Sequence, residues 1–292
     1  MSKRVAANLY FVLLCWIWGS TWLAIKWGLV GVPPATGVAL RFVISGVLLM
    51  AIALLFRTAW PRGPEFRGQV LLQGATIAAN YFLIYWAEQT VPSGLTAVLF
   101  AVTPILISVI AAFVFRIERF NAYKVVGLLV GFGGVAVIYW AEVVRAAHAP
   151  WQGVAAVLLS ALIAAFSLVA IKHWGADFSP LAIAAPSQLL AGLLLTLLAL
   201  MLDLHTPVHF SVQAVAALAY LTIFGSAIAF LAYYWLLRVI PATRVSLFLY
   251  VTPVVAVVLG TLLGHEQLAV QTGIGAVLVF ASIALMRIEP KR

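Results

Sequence analysis

Residues 85–104, YWAEQTVPSGLTAVLFAVTP, return at 234–253 as YWLLRVIPATRVSLFLYVTP. Tyr85-Trp86, Pro92 and Thr103-Pro104 match Tyr234-Trp235, Pro241 and Thr252-Pro253 with the same internal spacing, 149 residues later. In each copy an aromatic-rich apolar helix is expected to end, a proline turn follows, and a second apolar helix carries proline near its middle. Proline inside a helix deletes the bond to the carbonyl four residues earlier, so the carbonyls of Phe100 and Leu249 are expected to lie free. In hydrocarbon a free carbonyl is tolerated only where protein, a hydroxyl or a water-lined cavity satisfies it. Paired broken helices at matching points of two halves point to the substrate site of a carrier.

Composition sets the solvent. The 292-residue chain is 65% hydrophobic and 9% charged, which gives it more apolar surface than a soluble protein of this length can enclose. Lipid must cover the remainder, so an all-α integral membrane protein is expected. Ten apolar segments lie at 7–28, 35–56, 68–88, 93–115, 122–141, 151–172, 180–202, 211–235, 243–263 and 269–287. Most have the ~20 residues that cross a ~30 Å hydrocarbon core. With the N-terminus placed in the cytoplasm, only Lys26 and Arg145 fall outside and Arg41 lies within the second helix. Every other Lys and Arg, from Lys3 and Arg4 to Lys291 and Arg292, is then cytoplasmic. The +9 net charge is topogenic on this reading and implies no nucleic-acid partner. Cys15, the single cysteine, allows no disulfide within the chain. The first segment is long and lacks the look of a cleavage site, so it is expected to stay as a helix.

The second half repeats the first. Pro34 and Gly46 match Pro180 and Gly192 at an offset of 146, and an Ala-Ile-Lys ends the first helix at Lys26 and the sixth at Lys172. Such a period is too long for a solenoid and suits a duplicated five-helix bundle, residues 1–146 and 147–292. Five is odd, so the second copy must enter from the opposite face. The expectation is ten transmembrane helices, as two inverted five-helix repeats around a central cavity, with both termini cytoplasmic. Gly127, Gly131, Gly133 and Gly134 read as close helix packing.

Trp18, Trp22 and Lys26, four apart, share a helix face that serves either packing and interfacial anchoring or a cavity stripe. Arg41 sits below the outer surface, where a charge is costly. It either pairs with Glu88 or binds a substrate carboxylate. Asn80 needs a partner in so apolar a setting, from a neighbouring helix or from substrate. Tyr81 and Tyr85 correspond to Phe230 and Tyr234, and Arg41 corresponds to Ser187, beside Gln188.

Absences narrow the chemistry. The five histidines fall in loops or at helix ends, and Asp203, His205 and His209 read as a solvated loop. No zinc-protease helix, phosphate-cradling loop or nucleophile elbow is present. No enzyme, catalytic residue, metal or cofactor is therefore expected. None of the eight acids lies deep in a segment. Facilitated efflux is accordingly expected in place of obligatory proton antiport, which needs an embedded carboxylate. A charge-poor cavity of rings suits zwitterionic or neutral amphiphiles, because polyanions would call for more cations than Arg41.

The ordered set of Pro-turn, Thr-Pro and Gly-rich helices in both copies resembles the EamA-type transporters of the drug/metabolite transporter superfamily. Arg41-Phe42 in the second helix and Gly264-His265-Glu266 before the last fit the same pattern. Within the superfamily the chain is most similar to bacterial aromatic amino acid exporters of the YddG type. The resemblance implies a multi-pass protein of the bacterial inner membrane exporting aromatic and apolar amino acids and their analogues. Multidrug or other metabolite export, and nucleotide-sugar or phosphate-ester antiport, are the alternatives. Its partners would be a small-molecule substrate and the lipid bilayer, with a monomer as the expected unit. Carried over residue by residue, the aromatic cavity positions are Trp18, Trp22, Tyr81, Tyr85, Phe100, Phe166, Tyr234 and Phe248. Asn80, Ser20, Ser167, Gln188 and Arg41 are the polar candidates, and Thr103-Pro104 and Thr252-Pro253 the hinges or carbonyl donors.

Overall fold

A computed structural model describes residues 2–119, 121–145, 149–264 and 270–286. His148, His265, Glu266, Arg287, Glu289, Lys291 and Arg292, all invoked above, lie outside them. Every regular element among the described residues is helical. Among the described residues eight helical spans are long and apolar enough to cross a membrane, and two shorter apolar helices complete the ten.

The first three spans are unbroken: α1 (Lys3–Gly28), α2 (Pro34–Leu55) and α3 (Pro64–Ala87). Ser2 caps α1 by accepting from the Val5 amide, and proline opens α2 and α3, where its missing N–H costs nothing. The fourth span divides into α4 (Ser93–Phe100), α5 (Thr103–Val109) and a π-helical turn (Ile110–Val114). Next come α6 (Ala122–Ile138), the short α7 (Trp140–Arg145), α8 (Trp151–Trp174) and α9 (Pro180–Leu202). The eighth span joins α10 (Val212–Tyr220), a π-helical stretch (Leu221–Ile228) and α11 (Ala229–Val239). The ninth is α12 (Ala242–Ser246) with α13 (Phe248–Gly264), and α14 (Val270–Leu285) is the tenth. Large apolar side chains such as Leu55, Met201 and Val212 are left exposed, as a lipid-facing surface requires.

The first Thr-Pro pair opens a new helix and the second lies inside a continuous one, and neither leaves a carbonyl bare. Thr103 Oγ1 donates to the Phe100 carbonyl at 2.6 Å, and Thr252 Oγ1 to that of Leu249 at 3.2 Å. The expectation of free carbonyls is thereby corrected: the threonine beside each proline supplies the bond the proline removes. The copies also differ. The fourth span breaks at Ala101-Val102, directly before Thr103, whereas α13 runs on through Pro253 and the break falls earlier, at Leu247.

α2 crosses α9, α6 crosses α14, α3 packs on α8, and α1 on α11 and α13. The first two crossings use glycine to bring backbones together. A Cβ on Gly46 would run into Leu189, and one on Gly192 into Val43. Leu189 is 146 residues after Val43, as Gly192 is after Gly46, so the crossing is the same from either side. Likewise Gly127 meets Ser282 while Gly275 meets Gly134; Gly275 is 148 residues after Gly127, as Ser282 is after Gly134.

The two ends of the bundle are distinct. Lys3 and Arg4, at the start of α1, share a cleft with Arg238 and Arg244. Lys26, near its finish, shares another with Glu88 and Ser93. Lys172, near the finish of α8, bonds the carbonyls of Leu237 and Ile240 at the finish of α11. α1 and α8, which occupy matching places in the two copies, thus finish at opposite ends.

Candidate functional site

Between the two halves lies a cavity of about 130 Å³, walled by α1, α3, α4, α5, α8, α11 and α13. Of the sequence-derived candidates, Trp18, Trp22, Asn80, Tyr81, Phe100, Phe248 and Ser167 stand on its wall, together with Thr103 and Thr252. Trp18 is the centre of the ring cluster. Its centroid lies 4.6 Å from that of Phe248, 5.5 Å from Tyr233 and 5.8 Å from Phe230. Trp22 meets Phe100 edge-on at 6.5 Å. Tilted and edge-on contacts suit the ring quadrupole.

The remaining candidates lie elsewhere. Tyr85, Tyr234, Gln188 and Arg41 are buried behind the wall, and Phe166, 37% exposed, packs against Phe115. Ser20 bonds Tyr220 at 2.6 Å. Pro104 and Pro253 are not on the wall, although the threonines that precede them are. The wall includes residues that sequence reading passed over, notably Thr21, Gln73, Thr76 and Tyr233.

Arg41 is 1% exposed and fully engaged. Its Nε donates to Ser226 Oγ at 2.8 Å, Nη1 to the Tyr85 hydroxyl at 3.3 Å and Nη2 to the Gly225 carbonyl at 3.1 Å. The guanidinium carbon also sits 4.8 Å from the centre of the Tyr81 ring. Gly225 and Ser226 belong to the π-helical stretch, whose wider turn frees backbone groups that an α-helix would use internally. No bond or ion pair joins Arg41 to Glu88 among the described residues, so the pairing considered from sequence is not formed. Gln188 extends the same seam, accepting from Ser45 and donating to the Ser226 carbonyl at 3.3 Å.

A second polar group crosses the cavity wall between α3 and α8. Ser167 bonds Gln73 Oε1 at 3.0 Å and Thr76 Oγ1 at 2.8 Å, and the Tyr234 hydroxyl reaches Gln73 at 3.3 Å. Asn80 donates to the carbonyl and hydroxyl of Ser160, both at 2.9 Å. Its partner is therefore a neighbouring helix, and its Oδ1 carries no bond from a described residue. The site thus offers rings, hydroxyls and carboxamides around a void, with one cation set a ring's thickness behind Tyr81.

At the Lys172 end a second network closes the bundle. Glu118 accepts from the Thr243 amide at 3.1 Å, the Thr243 hydroxyl at 2.6 Å and Lys124 at 2.9 Å. Burial pushes the Glu118 carboxyl upward, but Thr243 and Lys124 outweigh it and hold the group below its ordinary value. Asp203 makes a related contact, accepting from the amide and hydroxyl of Thr36 in the first turn of α2.

The EamA-like transporter family model matches residues 5–140 and again residues 151–288. Similar proteins include YedA of Escherichia coli K12, named as an uncharacterized inner membrane transporter, 31% identical over 87% of this chain and 81% of its own. PagO of Salmonella typhimurium is 29% identical over 87% and 84%, and YoaV of Bacillus subtilis, an uncharacterized transporter, 28% over 91% of each. A solved crystal structure superposes with a TM-score of 0.82 over 98% of this chain and 97% of the other, at 22% identity, a likeness of fold alone.

Proposed function

The chain belongs to the EamA-like transporter family, and from that premise we propose that it exports amino acids, aromatic and apolar ones and their analogues foremost. One observation carries this reading: a ring-walled cavity with a single cation, Arg41, behind Tyr81 and no acid bonded to it among the described residues. An aromatic side chain gains roughly 0.5–1.5 kcal/mol for each ring it meets, beyond the area it buries. A carboxylate placed against Tyr81 is drawn by Arg41 through a medium of low polarity. At about 8 Å and an effective dielectric of about 20, the attraction is on the order of 2 kcal/mol. The substrate ammonium finds acceptors in Asn80 Oδ1 and the Gln73–Thr76–Ser167 group. The Phe100 and Leu249 carbonyls, already bonded to threonine, are not assigned to it.

The halves 1–146 and 147–292 act on this reading as inverted copies. The reciprocal glycine crossings and the opposite finishes of α1 and α8 support it. With both termini cytoplasmic, the Lys26 end faces outward and the Lys172 end inward. The name of YedA as an inner membrane transporter supports placement in the bacterial inner membrane. Transport is facilitated efflux by a monomer, with Thr103-Pro104 and Thr252-Pro253 as hinges.

The test is flux of labelled phenylalanine, threonine and a nucleotide sugar from proteoliposomes holding the purified protein. Phenylalanine should move fastest and the nucleotide sugar at the protein-free rate. Preferential movement of the nucleotide sugar would transfer the assignment to phosphate-ester antiport.

A further inference from the structure

The repeat sets two lysines in matching places, and they are doing different things. Lys172 bonds the carbonyls of Leu237 and Ile240, filling acceptors that the end of α11 leaves open and satisfying its dipole. Subtracting the repeat offset of 149 from Leu237 and Ile240 gives Glu88 and Val91, at the end of α3. Lys26, the counterpart of Lys172, faces that end but makes no hydrogen bond or ion pair with it among the described residues. A vestibule of about 870 Å³ opens there, lined by Lys26, Glu88, Gln89 and Ser93 among others. One end is latched and the other is not.

Glu88 stands where the second copy offers only a leucine carbonyl, so the outer position carries an ionisable group that the inner one lacks. Both carboxyl oxygens are buried, and the neighbouring donor, Ser93, acts on the carboxyl from outside hydrogen-bond geometry. A bare carboxylate so placed is costly, and a neutral carboxyl much less so. The groups facing it are Lys26 from α1 and Ser93 from α4; Tyr85 lies one turn back on α3, and Tyr139, past the end of α6, lines the same vestibule.

We propose that Glu88 is a proton-binding site at the outer mouth and that Lys26 and ionised Glu88 form the outer latch, matching Lys172 on α11. Protonated Glu88 offers Lys26 no charge and the mouth stays open; ionised Glu88 draws Lys26 across the vestibule and closes it. Burial raises the carboxyl to about 8, with Lys26 and Ser93 pulling the other way, so the change falls near physiological pH. The proton enters and leaves from the same side, so the site gates efflux without driving it. The inference rests on the two-copy, inverted reading given above.

The experiment places a cysteine at Thr206, on the vestibule wall, in a Cys15→Ser background and follows its rate of reaction with a membrane-impermeant maleimide. Thiol ionisation alone accelerates the reaction with pH, and a Glu88→Gln partner protein supplies that baseline. Relative to it, labelling of the Glu88 protein should fall at least fivefold between external pH 6 and pH 9. Lys26→Gln should abolish the fall and Lys26→Arg should keep it. Phenylalanine flux in Glu88→Gln at pH 6, matching the unmodified protein, reports that the variant is folded; should it be misfolded, Lys26→Gln against Lys26→Arg decides alone. Identical pH profiles with and without the carboxylate, or with and without the cation, overturn the proposal. The inverted reading fails separately, if single cysteines at the Lys3 and Lys26 ends label from the same side of the membrane.

Discussion

Trp18 and Arg41 donate to the same acceptor, the Gly225 carbonyl, each at 3.1 Å. The indole forms part of the cavity wall and the guanidinium lies behind it, so one backbone oxygen of the π-helical stretch holds both the ring platform and the charge. Replacing Arg41 by Met should therefore weaken binding of phenylalanine about tenfold or more and leave phenylethylamine, which lacks the carboxylate, nearly unchanged. Equilibrium binding of the two compounds checks this. Arg41→Lys should not rescue, because an ammonium cannot hold Ser226, Tyr85 and Gly225 in one planar fork.

The rings on the wall and the rings behind it should behave differently. Trp18→Ala or Phe248→Ala should raise the half-saturating phenylalanine concentration about fivefold to tenfold, in line with the loss of roughly a kilocalorie per ring contact. Tyr81→Ala should do the same and also loosen Arg41, which rests over its ring. Phe166→Leu should change transport little, since Phe166 packs on Phe115 away from the void. Concentration dependence of flux in proteoliposomes separates the groups.

Gly192→Ala should cost about 1–3 kcal/mol, because the added methyl meets the backbone of Phe42 and Val43 and neither can move aside. Gly46→Ala should cost as much by the reciprocal contact with Leu189. Gly133→Ala and Gly273→Ala meet nothing within 4 Å and should be neutral. Thermal unfolding in one detergent, with all four variants measured together, reads the difference.

Thr103→Val removes the hydroxyl that satisfies Phe100 and leaves a carbonyl unpaired in an apolar setting, at about 1–3 kcal/mol. Thr252→Val should act the same way at Leu249, and Thr→Ser at either site should keep most of the stability. Unfolding midpoints of these variants form the check.

Acid should loosen the Lys172 end first. The Glu118 carboxyl is held below its ordinary value of 4.5, so the folded protein binds that proton more weakly than the unfolded chain. Its contribution is complete above pH 4.5 and is lost as pH falls through the depressed value. The melting midpoint should drop between pH 5 and pH 3, and Glu118→Gln should start lower and lose the part of that drop due to this group.

How much of this was legible beforehand varies with the physics. The ten spans were readable because hydrocarbon thickness fixes their length. The ring wall was partly readable: Trp18 and Trp22 share a face of α1, and Asn80 and Tyr81 sit in the second half of α3. Tyr85 shares that face, yet lies one turn on, beneath Arg41 and off the void. Phe166 and Ser167 show how sharp the limit is. A step of one residue turns a helix by about 100°, and the phenylalanine faces Phe115 while the serine reaches the cavity. Gln73 and Thr76 were passed over because their role comes from Ser167 on another helix, and helical periodicity names a face without naming its neighbour. The π-helical stretch left no mark in the apolar pattern, so the anchoring of Arg41 was out of reach. Closure of the Thr-Pro carbonyls was legible in kind, since a hydroxyl was one of the permitted partners and each proline follows a threonine.

The anchoring of Arg41 bears on energetics at the scale of the cell. Three bonds and a ring keep that charge still, so on the reading advanced here it does not travel with the cargo. A zwitterion carries no net charge of its own, and its passage then does no work against the membrane voltage. Export would follow the difference in concentration alone, rising when the cytoplasm is overfull and ceasing when it is not, as in a relief valve.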